Sequence, residues 1–381
     1  MHVAINGWFW DQENTGSGQY LRYLLQSMRR VAPQIEFTLI VPSDSSLSGL
    51  PEGVNVISTN TSRGNLSKII FEQWTFPRVV KKVGADLAHV PYWGAPLSSP
   101  VPLITSVLDI IPALLPDYAA NFKAKLYVSL VTASARGSSH ILTISNASKT
   151  DIVKHLGIAE DLVTTTYLAA NEAYHPRMGA ERDAAVKAKY QLPDEFVLYL
   201  GGFDLRKQVN QLLLAYTYVG QAEGEHMPLV IAGQEPEWGS AMFPDLKAYA
   251  SELDITDYVH WIGRVAEEDK PSLYRLAKVF VYPSVYEGFG LPPLEAMQSG
   301  TAVVASDIAV MDEICGNAAY LVEAGNSRRM AGAILALLMQ DNLREDMQAR
   351  GLARATHFQW RKTARETIGV YEKVFAETRK S

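Results

Sequence analysis

Twelve short runs of apolar, largely β-branched residues recur along this chain with helical patterns between them, and that alternation dictates its architecture. Six fall in the first half: "HVAIN" from His2, "FTLIV" from Phe37, "VNVI" from Val54, "DLAHV" from Asp86, "PLITSV" from Pro102 and "HILTIS" from His140. Six more follow: "FVLYLGG" from Phe196, "PLVIAG" from Pro228, "YVHWIG" from Tyr258, "VFVYPS" from Val279, "TAVVAS" from Thr301 and "AAYLV" from Ala318. Strands apolar on both faces and separated by helices indicate βαβ units and parallel sheets. Between the first two runs, Leu21, Leu24, Leu25 and Met28 mark one face of a helix.

The pattern lapses from Asn171 to Pro193, a polar stretch with no buried run. With 381 residues the chain is long for one core. We therefore expect an α/β protein of two doubly wound, Rossmann-like domains facing a cleft: 1–172 with a returning C-terminal helix 365–381, and 173–364. The returning helix is expected from Thr363, Thr367, Val370, Tyr371 and Val374, which share one helical face. Ligands of open parallel sheets bind beyond the carboxyl ends of the strands, so the informative residues belong there.

Bulk properties exclude several classes. A net charge of −6 gives no broad attraction to nucleic acid. The single cysteine, Cys315, rules out an internal disulfide framework and fits a reducing compartment. The N-terminus lacks a basic region followed by a long apolar core, and no apolar stretch reaches the ~20 residues of a membrane-spanning helix. The expectation is a cytoplasmic protein, with weak peripheral contact at the inner face of the plasma membrane as an extension. Arg78, Lys81 and Lys82, with Trp8, Phe9 and Trp10, are the residues for such a contact; otherwise they form a solvated helix face and the wall of a pocket. The eight histidines stand singly and mark no metal cluster.

Three strand ends carry candidate chemistry. Gly16 and Gly18 precede the first helix, where bare backbone N–H groups can approach an anion; a glycine-rich helix start is the other reading. Position 21 is leucine, so the spacing is not a dinucleotide fingerprint. Arg206 and Lys207 in "GGFDLRKQVNQ" stand at a helix entrance that favours acids, so they either face an anion or are a solvated pair. At a strand end they are expected to face solvent or ligand rather than core. In "YPSVYEGFGLPPLEAMQSG", Glu287 and Glu295 bracket a turn built on Gly288 and Gly290, with Pro292 and Pro293 suited to a first helical turn. Glu295 is placed in that first turn. Two carboxylates among backbone donors suit a hydroxyl-rich ligand, while acids near a helix start are favourable without one.

Glu287, seven residues and Glu295, embedded in "EGFGLPPLEAMQSGTAVVAS", resemble the signature of retaining GT-B glycosyltransferases of family four, the group-1 glycosyl transferases. The resemblance runs over nearly the whole chain: "NTGSGQYLRYLL" is similar to the N-terminal glycine loop and "YLGGFDLRK" to the donor phosphate element. "FEQWTFP", "HVPYWGAP" and "LDIIPALLPDY" are similar to acceptor-side segments, and "ILTISNASKTDI" to the element closing the first domain.

What the resemblance implies is specific. Glu295 would bind the donor ribose and Glu287 the transferred sugar. Backbone amides of Phe289, Gly290 and Leu291 would hold sugar and diphosphate. Arg206 and Lys207 would neutralise the leaving diphosphate, with Gly16, Gly18 and Gly202 in the donor loops. No metal or other cofactor would be needed, since cations and helix N-termini supply the charge; the nucleotide sugar is a substrate. Asp109 would touch acceptor or sugar. Leu108 stands where relatives commonly carry histidine, with His89 as a substitute or simply a strand-end histidine. The segments are most similar to bacterial mannosyl- or rhamnosyltransferases of surface polysaccharide assembly. The expected donor is GDP-mannose, then UDP-hexoses, and the expected acceptor a glycan or lipid-linked glycan. A sugar-nucleotide epimerase, a phosphorylase (although no Schiff-base lysine is marked) and a catalytically degenerate nucleotide-sugar-binding subunit are the rival readings.

Overall fold

The computed structural model describes residues 1–379 except 120, 178 and 224–225; the last two positions of the expected helix 365–381 lie outside the described residues. The chain divides into two compact units, Met1–Leu168 with Gln359–Ser381, and Ala169–Phe358.

The first unit is built on a parallel sheet of β1 (His2–Asn6), β2 (Glu36–Val41), β3 (Asn55–Ser58), β4 (Leu87–Val90), β5 (Leu103–Ser106), β6 (His140–Thr143) and β7 (Val163–Thr165). Their spatial order is β3-β2-β1-β4-β5-β6-β7. The strand β7 has no counterpart among the apolar runs. It is three residues long and pairs only with β6 at the sheet edge, so a continuous apolar signal is not required of it.

The helix Gly16–Val31 buries Leu21, Leu24, Leu25 and Met28, and the Thr15 hydroxyl caps its start by accepting from the Gly18 amide at 3.1 Å. The last helix, Trp360–Thr378, packs on it with Thr363, Thr367, Val370, Tyr371 and Val374 buried. Trp360 meets the rings of Tyr20 and Tyr23 at 6.4 and 5.4 Å. Under this helix the Tyr371 hydroxyl lies 2.6 Å from Nδ1 of His89, and Nε2 of His89 lies 2.8 Å from the Ser106 hydroxyl, which also meets Tyr20 at 3.0 Å.

The second unit holds β8 (Val197–Leu200), β9 (Leu229–Ala232), β10 (Val259–Gly263), β11 (Val279–Tyr282), β12 (Ala302–Asp307) and β13 (Tyr320–Glu323) in the order β10-β9-β8-β11-β12-β13, again parallel. The polar stretch 171–193 does not remain extended: it carries the helix Ala180–Lys189, which packs on the helix Lys270–Leu276. Charge makes much of that contact. Asp183 accepts from Arg275 at 2.6 Å, while Asp269 accepts from Arg182 at 3.1 Å and Lys189 at 2.7 Å. Docking of this kind leaves little apolar periodicity to read.

Candidate functional site

In the second sheet the direction of winding reverses between β8 and β11, and such a switch point opens a crevice at the carboxyl ends of the two strands. Two loops leave there. After β8 the chain makes a single 3₁₀ turn, Leu205–Lys207; after β11 it runs through Glu287 to the helix Leu291–Gln298. The Val285 amide donates to the Arg206 carbonyl at 3.0 Å, so one loop is held on the other. Gly290 caps the helix at φ +99°, a conformation glycine adopts without strain, and an added Cβ would meet Met311 Cε at 2.3 Å.

Glu287 is the hub of this crevice. Its Oε1 accepts from Arg206 Nη1 at 2.7 Å and from Lys207 Nζ at 2.6 Å. The same Arg206 group donates to the Tyr286 carbonyl at 3.1 Å, its Nε lies 3.1 Å from Asp204, and Lys207 donates to the Tyr282 hydroxyl at 2.9 Å. Burial alone would raise the Glu287 pKa, but Lys207 and Arg206 outweigh it and hold the carboxyl below its ordinary value. The two cations were expected to face solvent or ligand. Instead their side chains are 13% and 10% exposed and turned onto Glu287. The reason is β8–β11 adjacency, which brings two cations and one acid together across 80 residues.

Glu295 is also displaced from its expected position: the helix begins at Leu291, so Glu295 is its fifth residue rather than part of the first turn. It is buried, and the Tyr274 hydroxyl donates to Oε2 at 3.0 Å. Burial raises its pKa from 4.5 to about 7, against the pull of Lys270 and Tyr274. The folded chain thus holds a proton there that the unfolded chain releases, so this group's contribution to stability falls as pH rises from about 4.5 to 7. Glu295→Gln has no such proton to lose. Its thermal stability relative to wild type should improve by about 3 kcal/mol across that window, from the size of the shift. Parallel pH profiles of melting for the two proteins would contradict the assignment.

The remaining candidates differ in what they can offer. The Phe289 ring is buried edge-on against Phe358, with centroids 5.9 Å apart, so its side chain is taken up by packing. Gly202 is exposed, and its carbonyl accepts from the Tyr199 hydroxyl. Leu291 opens the helix, where the first N–H groups lack intrahelical partners. Gly16, Gly18 and Asp109 belong to the first unit. An added Cβ on Gly16 meets nothing within 4 Å, whereas one on Gly18 would strike the Gln12 carbonyl oxygen at 2.1 Å. Gly18 is therefore required for packing, with its amide given to Thr15. Asp109 Oδ1 accepts from the Ile111 amide at 3.0 Å. His89 is no substitute for the histidine absent at Leu108: it is fully buried, bonded through both ring nitrogens and pushed down to a pKa of about 3 by burial. Sequence reasoning did not single out Tyr274, Tyr282 and Asp204. The two tyrosines lie within apolar runs and helix patterns, which do not show where a hydroxyl ends. Among the described residues no group of three or more His, Cys, Asp or Glu is placed to hold a metal ion.

Residues 14–172 match the family described as Glycosyltransferase Family 4, and residues 182–354 the one described as Glycosyl transferases group 1. O-antigen chain mannosyltransferase B of Escherichia coli is 30% identical over 371 residues, covering 94% of this chain and 96% of that protein. This chain is a family 4 glycosyltransferase. Sucrose-phosphate synthase from Thermosynechococcus elongatus superposes on the glycosyltransferase with a TM-score of 0.80 at 19% identity, over 99% of this chain and 100% of the other. HepE of Anabaena, solved in complex with UDP-glucose, superposes with a TM-score of 0.72 at 16% identity, over 98% and 100% of the two chains. The fold of the glycosyltransferase is GT-B.

Proposed function

We propose that the protein transfers mannose from GDP-mannose to a glycan or lipid-linked glycan acceptor with retention of anomeric configuration, UDP-hexoses being the second donor class. The observation that carries the reading is the Glu287–Arg206–Lys207 hub at the β8–β11 switch point, beside a helix start. The likeness to an O-antigen mannosyltransferase supports the sugar and the polysaccharide context.

In this reading Arg206 and Lys207 turn part of their charge onto the donor diphosphate. Arginine can grip phosphate oxygens bidentately and lysine acts as a point charge. Glu287 then accepts from hydroxyls of the transferred sugar and Glu295 from the ribose, while amides of Phe289, Gly290 and Leu291 line sugar and diphosphate. Gly16 and Gly202 serve the donor, Gly18 contributes by packing the loop that carries Gly16, and Asp109 serves the acceptor or sugar. The bond from the anomeric carbon to the phosphate oxygen breaks with its electron pair going to phosphate. The acceptor oxygen bonds to that carbon on the face just vacated, and its proton passes to a phosphate oxygen. The two cations and the helix start supply the electrostatic stabilisation, so activity is expected to survive chelation of divalent metals.

Selective binding of one nucleotide raises the melting temperature by mass action. GDP-mannose should do so more than UDP-glucose at equal concentration, and Glu295→Ala should raise KM while leaving kcat comparatively intact, because the ribose changes little during reaction. No stabilisation by any nucleotide sugar would end the proposal. Donor binding with neither transfer nor hydrolysis would favour instead a degenerate binding subunit, the reading to which Leu108 gives some footing.

A further inference from the structure

The loop 7–15 joins β1 to the helix that starts at Gly16, and successive turns build it: the Trp10 amide donates to the Gly7 carbonyl, Gln12 to Phe9 and Thr15 to Gln12, each at 3.0 Å. Trp8 and Trp10, which the sequence offered for a membrane contact, are buried instead, Trp8 against Phe71 at 5.2 Å. Two arginines from elsewhere in the unit hold the rest of the loop. Arg22, on the helix, donates to the Trp10 carbonyl at 3.1 Å and lies 3.0 Å from Glu13. Gly49, at φ +72°, passes against it, and an added Cβ there would meet Arg22 Nη2 at 2.3 Å.

Arg63, beyond the end of β3, is the second. Its Nη2 donates to the Trp8 carbonyl at 3.3 Å, to the Asp11 carboxylate, and to the Ser45 hydroxyl at 3.1 Å. The other Asp11 oxygen accepts from the Ser46 amide at 3.2 Å. Three stretches of chain therefore meet at one guanidinium nitrogen. The side chains of Arg63 and Asp11 are only 27% and 14% exposed, so solvent ions screen the pair weakly. From Asp11 the path to the helix is short. The Gln12 carbonyl accepts from both the amide and the hydroxyl of Thr15, and that hydroxyl accepts in turn from the Gly18 amide. A shift of Asp11 is passed through these bonds to the start of the helix.

We propose that Arg63 is a positioning residue for the transfer reaction: through Asp11 it fixes the loop, and so the direction in which the Gly16 amide meets the donor diphosphate. The inference rests on the donor role proposed above for Gly16. The first N–H groups of a helix have no intrahelical partner, and an added Cβ on Gly16 meets nothing within 4 Å, so a ligand can come close to this amide. The diphosphate gains charge as the sugar leaves it. A hydrogen-bond donor turned out of line therefore loses more in the transition state than in the bound ground state, and the loss falls on kcat.

A double-mutant cycle on the full chain tests this. Gly16→Pro deletes one N–H at the first helical position, where proline is favoured, and Thr15 before it is already extended at φ −108° and ψ 147°. Gly16→Pro and Arg63→Ala should each lower kcat with GDP-mannose by at least ~10-fold, the worth of one hydrogen bond to a charged group, with the donor KM changed less. The double variant should be no slower than Gly16→Pro, because Arg63 then has no amide to aim. Losses that multiply to ~10² overturn the proposal. So does an Arg63→Ala protein that melts lower yet turns over like wild type at a temperature below both transitions. If Arg63→Ala does not fold, Asp11→Asn runs the same cycle: the side-chain amide keeps an acceptor for Arg63 and Ser46 while removing the charge that holds the arginine. Gly16→Pro at wild-type speed overturns the proposal as well, and leaves the Glu287 hub and the transfer reading standing. Failure of that reading is seen separately, in a wild-type chain that no nucleotide sugar stabilises, and overturns both.

Discussion

Glu287→Ala is expected to lower kcat on the order of 10²–10³, the loss that follows removal of one preorganised electrostatic contact at a transition state. Glu287 is assigned to the sugar whose anomeric carbon gains positive charge as the phosphate leaves, so orientation and field act on the step itself. Removing one partner of a buried pair costs ~3–5 kcal/mol, because the remaining charges stay out of water. Here Arg206 and Lys207 would be left facing each other, both having met at the same oxygen. A clear fall in melting temperature should therefore accompany the loss of turnover. Glu287→Gln keeps shape and hydrogen bonding while removing the charge, and should fall between wild type and alanine in stability while remaining slow. Kinetics well below the melting transition separate the two effects. Intact-mass analysis during turnover should show no glycosyl adduct; an adduct on Glu287, or a change confined to KM, would sink the assignment.

Arg206→Ala and Lys207→Ala should each reduce turnover by a similar 10²–10³. Their stability costs should differ. Arg206 also lies 3.1 Å from Asp204 and donates to the Tyr286 carbonyl, so its loss strips partners from two carboxylates and one carbonyl. Lys207 leaves behind only Glu287, which keeps Arg206, and the Tyr282 hydroxyl. Arg206→Ala should then melt lower than Lys207→Ala, while added guanidinium restores turnover to the arginine variant alone. Activity lost in strict proportion to stability in both variants, without rescue, would mean the cations only hold Glu287 in place.

Sequence alone located the residues of this hub but not their pairing. The spacing of Glu287 and Glu295 around the glycines is local information, readable within a dozen positions. That Lys207 meets Glu287 depends on β8 and β11 being neighbours, a property of sheet order that no local pattern encodes. The apolar runs announced the strands because parallel strands are buried on both faces, and β7 escaped because an edge strand of three residues needs little burial. The helix Ala180–Lys189 escaped for a different reason: its anchors are Arg182, Asp183 and Lys189, which look like solvent-facing residues until Asp269 and Arg275 come opposite them. Trp8 and Trp10 looked available because they follow a strand end, and only packing on Phe71 and its surroundings removes Trp8 from the surface.

The bond between His89 and Tyr371 joins residues 282 positions apart. Any chain is synthesised from its N-terminal side, and β13, the last strand of either sheet among the described residues, ends at Glu323. When that strand has emerged, the whole first sheet already exists, yet the helix Trp360–Thr378 that covers Tyr20 and His89 has not been made. The second unit ends at Phe358. The half of the protein that is synthesised first is thus the half that is finished last.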